Sequence, residues 1–297
     1  MKNIAIPLAL LLAATGAPAH AEDFEQHVTA DPHGEIAVSN VAGNIDITAW
    51  DKPEVEVKAE VSSSQRVQVE SDKSHRISIV VKGSDGGGWF GGDHGATLRL
   101  RVPSGSEINL SAVSADVHSR GVTGRQLLRT VSGGIEADIA DAEVKTVSGD
   151  LKLRGSGAPQ HIRINTISGD VTLTNAAGDL EATTVSGDLR ATLGAAHTIA
   201  LHSTSGEMHF TGRLAHDGSF EAETTSGEVH LEMPFESGYD YELRSFSGEI
   251  QDCFGQKPER TSTYGPGTRL IGTRGQGGPR VRVRTLSGDI SLCDKGG

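Results

Sequence analysis

Apolar and polar residues alternate with a period of two along most of the chain, which is the pattern of half-buried β-strands. In one stretch Ile162, Ile164 and Thr166 share one parity, Gly169–Asp170 interrupts it, and Val171 begins a new alternation. Glycine permits the backbone turn, and an acidic side chain can accept backbone N–H groups there. The sequence therefore predicts units made of a strand, a Gly-acid corner and a second strand.

This unit recurs about every twenty residues as Thr-x-Ser-Gly-Asp/Glu-apolar, with degenerate copies at 112–117 and 40–45. The motif serines are Ser132, Ser148, Ser168, Ser186, Ser205, Ser226, Ser247 and Ser287. So short a period leaves no room for crossover helices, so successive strands must stack directly as parallel ladders. We predict an all-β, single-stranded parallel β-solenoid of about eight to nine coils, with Leu151, Val171 and Leu189 as stacked neighbours.

Three segments follow from the pattern. Residues 1–21 combine Lys2, an apolar run and a small-x-small site, which predicts a signal peptide cleaved at about Ala21. Residues 22–105 alternate without the clear repeat and are predicted to form a β-rich N-terminal cap, and residues 106–297 form the solenoid. No second apolar run approaches a membrane span, so we predict a periplasmic or secreted mature chain without an integral membrane segment.

The charge of the chain argues against one class of partner, and its composition fits the predicted fold. A formal net charge of −12 disfavours binding to nucleic acid. The chain has 38 glycines and only 4% aromatic residues, which suits tight corners and a thin aliphatic core.

The motif hydroxyls are expected to be structural. Thr and Ser share the inward parity, so we expect each hydroxyl to bond to its equivalent in the next coil. A catalytic serine would be a single serine with a base beside it, whereas this motif repeats its serine at equivalent positions in successive coils. The sequence therefore indicates no catalytic residue and no cofactor.

The recurring Thr-Val-Ser-Gly-Asp-Leu unit, the opening segment Gly34–Trp50 and the closing segment Arg284–Ile290 resemble the bacterial DUF4097 family, described as putative adhesins. The resemblance covers most of the mature chain. It implies a β-solenoid of the cell envelope with no assigned reaction. No catalytic residue is carried over, because the shared motif is the structural corner itself.

We therefore predict a non-catalytic exported cell-envelope scaffold or adhesin-like interaction protein. Its partner would be an unidentified envelope protein or glycan, and self-association is also open. One alternative is a polysaccharide-active β-helix enzyme, which would need clustered acids. Here the corner acids are spread one per coil.

A second alternative is a surface metal-binding module. His209 and His230 occupy equivalent outward positions in adjacent coils, and Glu207 and Glu228 flank them. Imidazole and carboxylate groups suit a transition metal, although four closed ligands are not evident. The stacked corner acids could alternatively hold Ca²⁺, but we favour a solvated turn column.

The residues between the motif Thr and Ser have outward parity and are mostly apolar: Val131, Val147, Ile167, Val185, Phe246 and Leu286. They form either an exposed stripe for a partner or a second copy, or an inward-turned row if the corner bulges. Trp89 and Phe90 lie in a glycine-rich loop and are either tucked over the cap or displayed as a further interaction surface.

The two cysteines hold the same position within their units, each six residues after a motif serine. Cys253 and Cys293 are 40 residues apart, and the intervening chain carries turn punctuation but no motif copy. If it is an excursion, the two coils are neighbours and a disulfide fits; a cryptic coil would separate them. We expect the disulfide, fastening the final coil in an oxidising compartment.

Overall fold

The computed structural model describes residues 22–72, 75–83, 95–234, 238–262 and 266–294. All the regular secondary structure within these ranges is β-strand, which confirms the predicted all-β class. In this part of the chain no helical segment has the length and apolar character that a membrane crossing requires. The predicted signal peptide and loop residues Trp89 and Phe90 lie outside the described residues.

The first eleven strands are β1 (Glu22–Thr29), β2 (Glu35–Trp50), β3 (Glu54–Val61), β4 (Gln65–Asp72), β5 (Arg76–Gly83), β6 (Ala96–Pro103), β7 (Glu107–Arg120), β8 (Gln126–Arg129), β9 (Ile135–Ile139), β10 (Ala142–Lys145) and β11 (Leu151–Gly155). The others are β12 (Pro159–Asn165), β13 (Val171–Thr184), β14 (Leu189–Ser205), β15 (Met208–Ser226), β16 (Val229–Glu232), β17 (Tyr239–Ser245), β18 (Ile250–Asp252), β19 (Glu259–Arg260), β20 (Thr268–Arg274), β21 (Arg280–Thr285) and β22 (Ile290–Cys293).

Successive units stack in parallel register, so the fold is β-solenoid-like. Val171 pairs with Leu151 on one side and Leu189 on the other, as the sequence predicts. The same column continues through paired positions along the molecule: Leu98, Ile45, Val117, Ile135, Leu151, Val171, Leu189, Met208, Val229, Ile290 and Ile250. All of these side chains are buried, so stacking rather than any single unit creates the core.

The last unit in the sequence is not the last in space. β21 pairs in parallel with β15 on one side and β17 on the other, and β22 lies likewise between β16 and β18. The coil that carries Cys293 is therefore intercalated. The sequence-based expectation that the disulfide fastens an outermost final coil is wrong, because the coil of Cys253 lies outside it.

The disulfide itself is present between Cys253 and Cys293, whose Cα atoms are 4.9 Å apart. The Cys253 N–H also donates to the Leu292 carbonyl at 3.0 Å, so the two coils are direct neighbours. The chain between them is an excursion, as one sequence alternative required. Its strand β20 returns antiparallel along β17, and β19 pairs antiparallel with β20.

Antiparallel strands also lie at the opposite end. β3 pairs antiparallel with β6, β4 with β5, and β1 with β3. β2 pairs in parallel with β5 and β6 and, on its other edge, with β7. The division at residue 105 stays a prediction, and parallel pairing is continuous across it.

The motif hydroxyls bond differently from the sequence expectation. The motif threonines are buried, but Thr166 Oγ1 donates to the Ser168 carbonyl two residues ahead, at 3.1 Å, rather than to a threonine of the next coil. Ser168 is only partly buried, and its hydroxyl donates to the Val147 carbonyl at 3.4 Å. The positive φ of Gly169 turns the chain at the corner, which breaks the period-two parity at the serine.

Gly187 illustrates how tightly the corners stack. Its φ is +119°, and a Cβ built there would lie 2.3 Å from the Gly169 carbonyl oxygen of the neighbouring coil. Both the backbone conformation and the contact therefore require glycine.

We expect Gly187→Ala to lower the free energy of unfolding by about 3 kcal/mol, since the strained φ and the backbone clash add. Urea unfolding measures the change. The control is Gly194→Ala in the same coil, where the nearest atom to a new Cβ is 3.7 Å away. Equal stability of the two variants would contradict this packing of the corners.

Candidate interaction surface

The outward row predicted from the sequence is held in line by backbone hydrogen bonds. Each carbonyl in the row accepts the N–H of the motif serine in the next coil: Val131 from Ser148, and Val147 from Ser168, both at 2.9 Å. Because the acceptors are the row residues themselves, their side chains are aligned at the strand spacing of about 4.8 Å. The row is therefore held in register from coil to coil.

The row faces solvent. Its side chains retain between 43 and 63% exposure across six consecutive coils: Val41, Val113, Val131, Val147, Ile167 and Val185. We call these six residues the apolar edge. The sequence left open whether a bulge turns the row inward, and the structure shows that it does not.

Two members of the apolar edge were missed by sequence reasoning. Val113 joins because Ser132 N–H donates to its carbonyl at 2.7 Å. Val41 comes next to Val113 because the residues on either side are paired, Asn40 with Ala112 and Ala42 with Ser114. Their signal was present in the degenerate motif copies at 112–117 and 40–45. At a coil spacing of about 4.8 Å, six aligned positions span about 24 Å.

A polar break separates this edge from a second apolar pair. Thr204 and Thr225 occupy the next two positions of the row and are exposed. Leu286 and Phe246 follow in adjacent coils, since Ser247 N–H donates to the Leu286 carbonyl at 3.0 Å. Both side chains are more than half exposed. The predicted interaction row is thus two apolar blocks on one edge.

The corner acids beside the apolar edge bond to backbone. Asp150 Oδ1 accepts the Asp170 N–H, and Asp170 Oδ1 accepts the Asp188 N–H, each at 3.0 Å. Each of these carboxylates therefore links its corner to the next coil by a hydrogen bond. This arrangement favours the turn column expected from the sequence over a calcium ladder.

The weak metal candidates come together on another face. His209 and His230 are paired across β15 and β16, with ring centroids 6.0 Å apart. His230 Nε2 lies 3.5 Å from Glu207 Oε1 and 3.2 Å from Glu228 Oε2. Glu232 also joins them, since its Oε1 lies 3.4 Å from His209 Nε2.

A second cluster was missed by sequence reasoning. Glu25, His27 and Glu56 have ligand atoms within 4.8 Å of one another, the one such group of three among the described residues. Lys58 Nζ already lies 3.3 Å from both carboxylates and lowers the pKa of Glu25. Because the ammonium group supplies the cation here, this cluster is a salt-bridge network.

A groove of about 530 Å³ also collects acids on one face, including Glu143, Asp179 and Glu181. Arg163 binds Glu181 at 2.8 Å, and His161 lies 2.9 Å from Asp179. A hydrogen bond from Lys145 lowers the pKa of Glu143. Three acids of the groove are therefore engaged in ion pairs, two between neighbouring coils and one within β10.

Comparison with a family model gives a match over residues 33–211 and again over 194–293, to the family described as Toastrack DUF4097. No curated protein matches the chain.

Solved structures with low similarity also match. A putative cell adhesion protein from Clostridium sporogenes ATCC 15579 is 12% identical, with 92% of this chain and 100% of that chain covered and a TM-score of 0.26. A putative adhesin from Bacteroides fragilis NCTC 9343 is 12% identical, covering 91% and 96%, with a TM-score of 0.30. A putative lipid binding protein from Parabacteroides distasonis ATCC 8503 is 10% identical, covering 92% and 98%, with a TM-score of 0.31.

Proposed function

The chain belongs to the Toastrack DUF4097 family, and from that premise we propose that it is a non-catalytic interaction scaffold outside the cytoplasm, whose apolar edge binds another protein of the cell envelope. The observation that carries the proposal is the apolar edge itself. Six aligned aliphatic side chains exposed to solvent support an interaction surface, because folded proteins seldom expose contiguous apolar side chains without a partner.

The architecture suits a scaffold. We interpret the parallel ladder as a β-solenoid, for which the sequence motifs predict eight to nine coils. Each coil is hydrogen-bonded to the next, and aligned corners hold the edge straight. A partner would therefore meet a preformed surface, so little conformational entropy is lost there on binding.

The chemistry of the edge favours a protein partner over a glycan. Its members are Val and Ile only, whereas sugar rings are usually recognised by aromatic platforms and hydrogen-bond donors. Self-association through the same edge is the second possibility, and the test below separates it.

Two observations support the non-catalytic part of the proposal. Three acids that line the groove, Glu143, Asp179 and Glu181, are engaged in ion pairs. A general acid needs a raised pKa, but the pKa of Glu143 is lowered by Lys145.

The disulfide supports a location outside the cytoplasm. Cys253 and Cys293 are joined, and such bonds persist in oxidising compartments. The predicted signal peptide and the periplasmic or secreted destination accord with this and are part of the proposal.

We expect a variant with Val131, Val147, Ile167 and Val185 replaced by threonine to lose about tenfold or more of partner capture, since it removes apolar area from the edge. Thr204 and Thr225 already occupy equivalent corners, so the fold tolerates threonine there. The measurement is cross-linking of the mature protein in envelope extract, quantified by mass spectrometry.

The control variant is Ile271→Thr, which removes an exposed aliphatic side chain off the edge. It should capture partners as the wild type does. A cross-linked product consisting only of this chain, confirmed by light scattering of the purified protein, would assign the edge to self-association. Equal capture by the wild type and the threonine variant would refute the proposal.

A further inference from the structure

His209 and His230 are neighbours on adjacent coils, and each of them contacts a glutamate of the other's coil. Glu207, in the coil of His209, lies 3.5 Å from His230 Nε2. Glu232, in the coil of His230, lies 3.4 Å from His209 Nε2. Each imidazole is therefore contacted by a carboxylate of the other coil.

The next coil orients one of the rings. Ser291 Oγ lies 2.7 Å from His230 Nδ1. Nδ1–H can donate to Ser291 Oγ once an ion takes the place of the proton on Nε2. That nitrogen points toward the carboxylates of Glu207 and Glu228. The ring thus has the orienting partner that metal-bound histidines usually have.

Two carboxylates of this group have no lysine or arginine partner in the described part of the chain. Among the described residues, Glu228 and Glu232 form ion pairs only with these two histidines. Glu207 has an additional contact with Arg190 at 3.6 Å. By contrast, the Glu25–His27–Glu56 cluster already holds Lys58 between its carboxylates.

The site is open, and no three of its donor atoms lie within 4.8 Å of one another before an ion is bound. It lines a shallow cavity of about 320 Å³, and its side chains are 31 to 39% exposed where they meet. A tetrahedral ion 2.0–2.1 Å from two imidazole nitrogens places the ring centroids about 5 Å apart. They are 6.0 Å apart here, so binding would require these partly exposed side chains to move about 1 Å closer together and to turn their donor atoms toward the ion. Cys293 lines the cavity but is disulfide-bonded and offers no thiolate.

We propose that His209 and His230, with Glu207 and Glu232, bind one divalent transition-metal ion of the Zn²⁺ type at the surface. Two imidazoles and carboxylates form a donor set that such ions accept. The ion would bridge β15 and β16. This inference does not depend on the function proposed above.

The test is calorimetric titration of Zn²⁺ into untagged, chelator-treated mature protein with its disulfide intact. One ion should bind per chain, and His209→Ala and His230→Ala should each weaken binding at least tenfold. His27→Ala and His161→Ala are the matched controls and should change the affinity less than twofold. All these side chains face outward, and circular dichroism checks that each variant is folded.

A second measurement covers the case of weak heats. Zn²⁺ should raise the thermal midpoint of the wild type but not of the His209→Ala/His230→Ala double variant, because only a folded site binds the ion. Loss of binding in His27→Ala instead would assign the ion to the other cluster and overturn the proposal. Unchanged binding by the double variant, or none by the wild type, would also overturn it.

Discussion

Ile164→Asp is expected to lower the free energy of unfolding by at least about 4 kcal/mol, because it places a carboxylate in the core with no partner. Ile164 is 1% exposed and lies between Val144 and Ala182 in adjacent coils. Both paired neighbours in this column are aliphatic, so neither offers a cation to a carboxylate at this position. Urea unfolding followed by circular dichroism measures the effect, and failure to accumulate as a folded protein is its extreme form.

The matched control is Thr174→Asp in the same coil. Thr174 is exposed and pairs with Arg154 across β11 and β13, so a carboxylate there stays solvated beside a cation. Its cost should be below about 1 kcal/mol. An unfolding midpoint for Ile164→Asp equal to that of Thr174→Asp would disprove the core assignment.

Replacing both Cys253 and Cys293 with serine is expected to cost about 4 kcal/mol, the chain-entropy value for a closed loop of about forty residues. The loop contains the whole excursion, and its ends lie on neighbouring coils. Unfolding of the double variant, compared with wild-type protein with and without reductant, measures the cost. Reduced wild type should match the double variant.

Thiol titration is the independent check. Denatured but unreduced mature protein should show no free thiol, because both cysteines are paired. Two thiols per chain would contradict the bond.

Much of the ladder could be predicted because its signals are local. The period-two alternation gave the strands, and the Gly-acid pair gave the corners, as Leu151, Val171 and Leu189 illustrate. The spatial order of the coils could not be predicted fully. Val229 pairs with Ile290 rather than Ile250, yet both partners follow the same motif, so nothing local distinguishes them.

The candidate sites divide in the same way. The row containing Val131 and Val147 was visible from its spacing, but its direction depended on the backbone turn after the motif serine. Val41 was missed because the motif copy around it is degenerate. The cluster of Glu25, His27 and Glu56 arises from antiparallel pairing of β1 with β3, which brings His27 opposite Glu56, and no repeat signals that contact.

The intercalated coil also has a consequence for the order in which the protein is assembled. A chain that emerges N-terminus first presents β17 and β18 before β21 and β22, which separate them from β15 and β16. This end cannot be completed by simple vectorial addition, because the slot next to Val229 must stay open or be reopened for Ile290. For the same reason, a premature stop after residue 279 would remove an inner layer of the stack rather than its tip.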